Sequence, residues 1–230
     1  MNINLWQGMF RVRNMQLSPL IFMFSHVSDT RVLTFGLVCK HIRQTVPQAT
    51  AIAPNTRGHI FLNHLIPDYI KINRAVLGKH SGQDTILAGD NMGGAVMAHA
   101  TAPRRLLPIR SLVLIDIVKA TALDSLHVIL LGSVPLLIVQ NGSRWSWKTQ
   151  SMPTKQCWRG WYTGLSRTLV SAQTAKLLIL AGLDRLDKEL LIAQMQGEFQ
   201  LELLPAAGHA IRENLPDMVG DVATLFWKRN

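Results

Sequence analysis

An apolar run at Thr85–Gly89 passes directly into Gly89-Asp90-Asn91-Met92-Gly93-Gly94 and then into a stretch of small residues. Glycines two residues before and two after a central residue suit a sharp strand-to-helix turn, because the helix must start hard against the strand it leaves. In such a nucleophile elbow the central residue exposes a nucleophilic oxygen. The backbone N–H of the next residue, here Met92, helps to hold the oxyanion of an acyl transfer. The central residue is Asn91, whose amide is a very poor nucleophile, so the glycine frame is kept and the reactive atom is not. Asp116 follows the next apolar run, Ser111–Ile115. Gly208-His209 follows the last one, Phe199–Leu204, with Glu213 and Pro216 behind it. Nucleophile position, acid and histidine thus come in the chain order of one class of hydrolytic triad.

Residues that work together must be brought to one edge of a scaffold. Six short apolar runs, Pro19–Phe24, Ala49–Ala53, Thr85–Gly89, Ser111–Ile115, Lys176–Ala181 and Phe199–Leu204, read as strands. They are continuous rather than alternating in apolar character, as expected of strands covered on both faces. Between them lie helical patterns: one with Pro67 near its start and Gly78 at its end, then Met92–Thr101, Asp187–Gln196, and a last from about Leu215 to Lys228. The alternation predicts an α/β doubly wound, mostly parallel central sheet with helices on both faces in one domain over residues 1–230, and the order of elbow, acid and histidine resembles that of the α/β-hydrolase fold. Ala53-Pro54-Asn55-Thr56-Arg57-Gly58-His59 resembles the A-P-D-x-R-G-H turn of many α/β-hydrolases.

The interval from about 124 to 172 breaks the rhythm and reads as a shortened cap. It holds Trp145, Trp147, Trp158 and Trp161, four of the six tryptophans. They are expected either to form an aromatic cap over the sheet or to fill a small satellite core.

Composition narrows the class further. The chain has 230 residues, 48% hydrophobic and 17% charged, which excludes a disordered or coiled-coil protein. The formal charge of +10 permits anionic partners, but the cations are scattered, as at Arg104-Arg105, Arg110 and Lys119, and read as solvated surface rather than a nucleic-acid groove. Cys39 and Cys157 show no metal or redox spacing and suggest a reducing compartment. The run Leu17–Phe24 reads as a buried strand rather than a signal sequence, and no stretch is long and apolar enough to span a membrane. His26, His41, His59, His64, His80 and His127 show no ligand spacing, and His99 reads as a packed or surface side chain. No metal and no cofactor is expected.

Four segments carry a more specific resemblance. Gly89–Ala100 (GDNMGGAVMAHA), Leu114–Leu126 (LIDIVKATALDSL), Trp158–Ser166 (WRGWYTGLS) and Leu177–His209 are similar to protein phosphatase methylesterases. The resemblance is strong over Thr85–Leu126 and Trp158–Arg229 and thin before residue 85. It implies a serine carboxylesterase that removes the methyl ester from the C-terminal leucine of the protein phosphatase 2A catalytic subunit, in the cytoplasm or nucleus. It also implies that the family's serine falls on Asn91, its acid on Asp116 and its histidine on His209, with Met92 giving an oxyanion N–H. Asp184 and Asp187 stand where many other hydrolases keep their acid, and Asp187 also reads as the cap of the following helix. Two departures from the family strike the acyl-transfer machinery. One is Asn91, with Asp90 in place of a histidine before it. The other is Ser25-His26-Val27-Ser28-Asp29-Thr30 where a glycine-rich oxyanion loop is expected. The implied alternative is a relative that binds the phosphatase without hydrolysis.

Overall fold

The computed structural model describes residues 20–25, 32–54, 62–77, 83–101, 109–117, 138–141, 144–147, 160, 162–208 and 210–230. Six strands form one sheet: β1 (Leu20–Ser25), β2 (Thr50–Ile52), β3 (Asp84–Asp90), β4 (Ser111–Ile115), β7 (Ala175–Leu180) and β8 (Gln200–Leu203). Their order is β2-β1-β3-β4-β7-β8, and each neighbouring pair is parallel. The connection from β2 to β3 crosses back over β1, so the strand order reverses between β1 and β3. Parallel open sheets place their sites beyond the C-terminal strand ends near such a reversal, and β3 ends there at the glycine-framed turn.

Burial explains why the strands read as unbroken apolar runs. Ile21 and Met23 of β1, Leu87 of β3, Leu112 and Leu114 of β4 and Leu178 and Leu180 of β7 face one layer of core. Leu20, Phe22, Phe24, Ile86, Ala88, Val113, Ile115, Leu177 and Ile179 face the other. The first layer is closed by α2 (Leu62–Leu77), α3 (Met92–Thr101), α4 (Leu165–Ser171) and α5 (Lys188–Met195). The second is closed by α1 (Gly36–Thr45), α6 (Ile211–Asn214) and α7 (Pro216–Arg229). α1 and α7 approach closely at Gly220, where a Cβ would stand 2.8 Å from the His41 ring. Beside it, His41 Nε2 lies 2.7 Å from Asp221 Oδ1.

The part of the run at Leu17–Phe24 that is described, from Leu20 on, lies in β1, with every residue from Leu20 to Ser25 inside. α2 differs from its expected start: it begins at Leu62, so Pro67 lies inside the helix rather than near its first residue. Proline there removes one backbone bond and crowds the preceding turn, a cost set against the burial of Tyr69 and Ile70. Gly78 lies outside the described residues. Within the interval read as a cap, β5 (Ile138–Asn141) and β6 (Arg144–Trp147) form an antiparallel hairpin, and α4 rejoins the core. Trp145 and Trp147 lie on β6, whereas Trp158 and Trp161 fall outside the described residues.

Candidate active site

The turn after β3 shows what the glycines are for. A Cβ at Gly89 would lie 2.6 Å from the Gly93 carbonyl oxygen and from the Gly94 N and Cα, and one at Gly94 would collide with the Ile117 side chain. The helix therefore starts in contact with the strand it leaves. Asn91, between them, has φ of +47°. A side chain in that region is disfavoured by about 1 kcal/mol or more unless its surroundings hold it. They do: the Asn91 N–H donates to the Ile115 carbonyl at 2.9 Å, and Ala95 N–H donates to the Asn91 carbonyl at 3.2 Å.

Asp116 sits one strand over, at the end of β4. It is fully buried, and it also has a left-handed backbone, φ +48°. Its N–H donates to the Ile179 carbonyl of β7 at 2.8 Å. One Arg185 nitrogen, Nη1, donates to both carboxylate oxygens, at 2.9 Å to Oδ2 and 3.2 Å to Oδ1. It sets an opposite charge against the buried carboxylate.

Of the two other acids, Asp187 caps α5. Its Oδ1 accepts from Leu190 N–H at 2.9 Å, and its Oδ2 accepts from the Ser166 hydroxyl at 2.6 Å. That is the helix-cap reading of this residue. Asp184 is exposed, in the single turn Leu183–Arg185. His209 lies outside the described residues; its neighbours Gly208 (φ +59°) and Ala210 lead from the turn Pro205–Ala207 into α6. The loop expected at 25–30 is described only at Ser25, the buried last residue of β1. Of the turn at 53–59, only Ala53 and Pro54 are described.

Three residues at this edge escaped the sequence reading. The Tyr162 hydroxyl donates to Asn91 Oδ1 at 2.8 Å. Burial first, and then the nearby Asp90 charge, push its pKa above the ordinary tyrosine value, so it remains a protonated donor. Arg185 holds Asp116 as above. Arg212, on α6, makes an ion pair with Asp90, the residue before Asn91; both side chains are almost fully buried. Arg212 also reaches Glu213 Oε1 at 3.2 Å and lies 5.8 Å over the Phe35 ring. Tyr162 and Arg185 stand inside two segments that carry the family resemblance, Trp158–Ser166 and Leu177–His209, and only that membership could have flagged them.

Among the described residues no three His, Cys, Asp or Glu side chains gather where they could hold a metal ion, and no described helix is long and apolar enough to cross a membrane.

The parallel sheet, the glycine-framed elbow and the acid beyond the next strand define an α/β-hydrolase fold. Solved structures with that architecture overlay on it. E-2-(acetamidomethylene)succinate hydrolase gives a TM-score of 0.69 at 18% identity over 91% of both chains. A peroxisomal alpha-beta-hydrolase from Saccharomyces cerevisiae gives 0.65 at 11% identity over 92% of this chain and 77% of its own. No family model matches the chain. In sequence, the chain is a homologue of the proteins named protein phosphatase methylesterase 1. It is 29% identical to that of Aspergillus fumigatus over 91% of this chain and 64% of the relative, and 30% identical to that of Yarrowia lipolytica over 91% and 65%. Identity to the Bos taurus protein rises to 45% over 86 residues, 37% of this chain and 23% of the relative. The chain thus spans a little under two thirds of the length of the two fungal relatives.

Proposed function

We propose that this edge of the sheet is a methylesterase-type acyl site whose turnover is impaired at the nucleophile. The substrate class is a carboxylic methyl ester on a protein chain end; from the resemblance, it is the C-terminal leucine methyl ester of the protein phosphatase 2A catalytic subunit, in the cytoplasm or nucleus. In the intact mechanism a serine at position 91 attacks the ester carbonyl. His209 takes its proton and returns it to the leaving methoxide, Asp116 orients the imidazole, and the Met92 N–H steadies the oxyanion.

The observation that carries this reading is Asn91 itself. It holds the left-handed elbow backbone, at the glycine-framed turn, with an amide where a nucleophilic oxygen belongs. A second reading, binding of the phosphatase tail without hydrolysis, is favoured by the Tyr162–Asn91 hydrogen bond, which engages the position-91 side chain without giving it a nucleophile.

A fluorophosphonate probe on the purified protein and on Asn91→Ser tests the assignment. Loss of a triad nucleophile costs about six decades in kcat, so the parent is expected to stay unlabelled and the variant to label. Stoichiometric labelling of the parent would place the nucleophile elsewhere.

A further inference from the structure

We propose that Tyr162 is a further catalytic and ligand-binding donor of this site: its hydroxyl donates to the acyl oxygen of a bound ester or carboxylate. The assignment rests on the reading of the site given above.

The argument is geometric. Asparagine and serine share Cα and Cβ, so a serine at position 91 in the same χ1 rotamer carries Oγ where Asn91 carries Cγ. The atoms bonded to that Cγ then mark where the carbon of an attacked carbonyl joins Oγ. One of them is Oδ1, and it takes a 2.8 Å hydrogen bond from Tyr162. The hydroxyl therefore faces the acyl group, one bond from the oxygen that the attacked carbon carries. The tyrosine is well held for the task. It is 7% exposed and packs in the same core layer as Met92 and Leu165. It stands just ahead of α4, so the donor comes from a different element than the elbow. A donor fixed before the ligand arrives needs no reorganisation when charge develops on the oxygen, which is what makes such groups effective.

No bond is made or broken at Tyr162. Its raised pKa keeps the proton on the hydroxyl, and it contributes a hydrogen bond only. The ligand class follows: an oxygen acceptor at a chain end, either an ester or the carboxylate its hydrolysis leaves.

Two arms test this with Tyr162→Phe, each beside a melting curve to show that the variant folds. In the first, a peptide ending in a free leucine carboxylate is titrated into Asn91→Ser and into Asn91→Ser/Tyr162→Phe, because in the parent Asn91 Oδ1 already takes the tyrosine's hydrogen bond. Loss of one neutral hydrogen bond should weaken binding by about 5- to 10-fold. In the second, fluorophosphonate labelling of Asn91→Ser is compared with that of Asn91→Ser/Tyr162→Phe; removing one oxyanion donor should slow it by about 100-fold. A third readout needs no stable Phe variant. The chain has two tyrosines, Tyr69 and Tyr162, so tyrosine labelled with carbon-13 at Cζ gives two resonances. The peptide should move that of Tyr162 and leave that of Tyr69, which is buried on α2. Peptide affinity and labelling rate both unchanged in a folded Tyr162→Phe, or a Tyr162 resonance unmoved by bound peptide, would overturn the assignment while leaving the acyl-site reading intact. No peptide binding by Asn91→Ser together with no labelling of it would overturn both.

Discussion

Asn91 and Asp116 are the two non-glycine residues, among those described, whose backbones enter the left-handed region, and they close adjacent parallel strands. Each is pinned by the next strand in the sheet: Asn91 N–H to Ile115 of β4 at 2.9 Å, Asp116 N–H to Ile179 of β7 at 2.8 Å. The strain at the two positions is thus carried by one run of sheet hydrogen bonds. Paired strain of this kind concentrates where side chains must be aimed. In this chain the aimed residues are an amide and an arginine-clamped carboxylate.

The elbow depends on its glycines rather than on Asn91. Gly89→Ala should destabilise the protein, because the new methyl meets backbone at 2.6 Å and backbone cannot turn aside. Overpacking of this kind costs about 1–3 kcal/mol, or roughly 2–12 °C in Tm for a chain of this size. Gly36→Ala is the control, since nothing lies within 4 Å of a Cβ there. Thermal melts of the two variants separate the cases; equal Tm values would contradict the close strand–helix contact.

The Asp90–Arg212 pair joins the neighbour of position 91 to the helix that begins two residues after His209. With side-chain exposures of 2% for Asp90 and 6% for Arg212, removing either partner leaves a buried charge. Asp90→Leu or Arg212→Met alone should each cost about 3–5 kcal/mol, whereas Asp90→Leu/Arg212→Met should recover much of that. Urea unfolding of the four proteins gives the coupling directly, and additive losses would show that the two side chains do not depend on each other.

Both tyrosines are held above their ordinary pKa by burial, Tyr162 with a smaller contribution from the Asp90 charge. A neutral group whose folded pKa lies above its unfolded value adds stability that is full below about pH 10, the ordinary tyrosine value, and is lost as pH rises toward the folded pKa. Tyrosinate absorbance should therefore stay low through pH 10 in the native protein and appear together with the loss of helical circular dichroism. Two tyrosines ionising near pH 10 with the fold intact would contradict their burial.

Much of the scaffold was legible because its strands are buried on both faces. Leu20–Phe24, Ser111–Ile115 and Lys176–Leu180 are apolar at almost every position, and no amphipathic helix reads that way. The placement of Asn91 rested on the glycine spacing at Gly89 and Gly93, which suits a turn of close backbone approach, taken with Asp116 and His209 in the order that follows it. Other elements left no such trace. In α1 only Val38, Cys39 and Ile42 are buried, too short a stripe to stand out beside Lys40 and Arg43. The β5–β6 hairpin carried a signal that went unused, Gly142-Ser143 between two short runs. The partners of the site were beyond sequence reasoning: Tyr162 meets Asn91 across 71 positions, Arg185 meets Asp116 across 69, and Arg212 meets Asp90 across 122. Such pairings exist only once the sheet order brings the strand ends together.

The central claim is that the site lacks its nucleophile and keeps an acid and a histidine in the triad order. Methanol release from a peptide ending in leucine methyl ester tests it most directly, with the parent, Asn91→Ser and Asn91→Ser/His209→Ala measured side by side. The account predicts no release above background from the parent, release from Asn91→Ser, and its loss when His209 is removed. Release by the parent at the rate of Asn91→Ser, or release from the serine variant that survives the loss of His209, would contradict it.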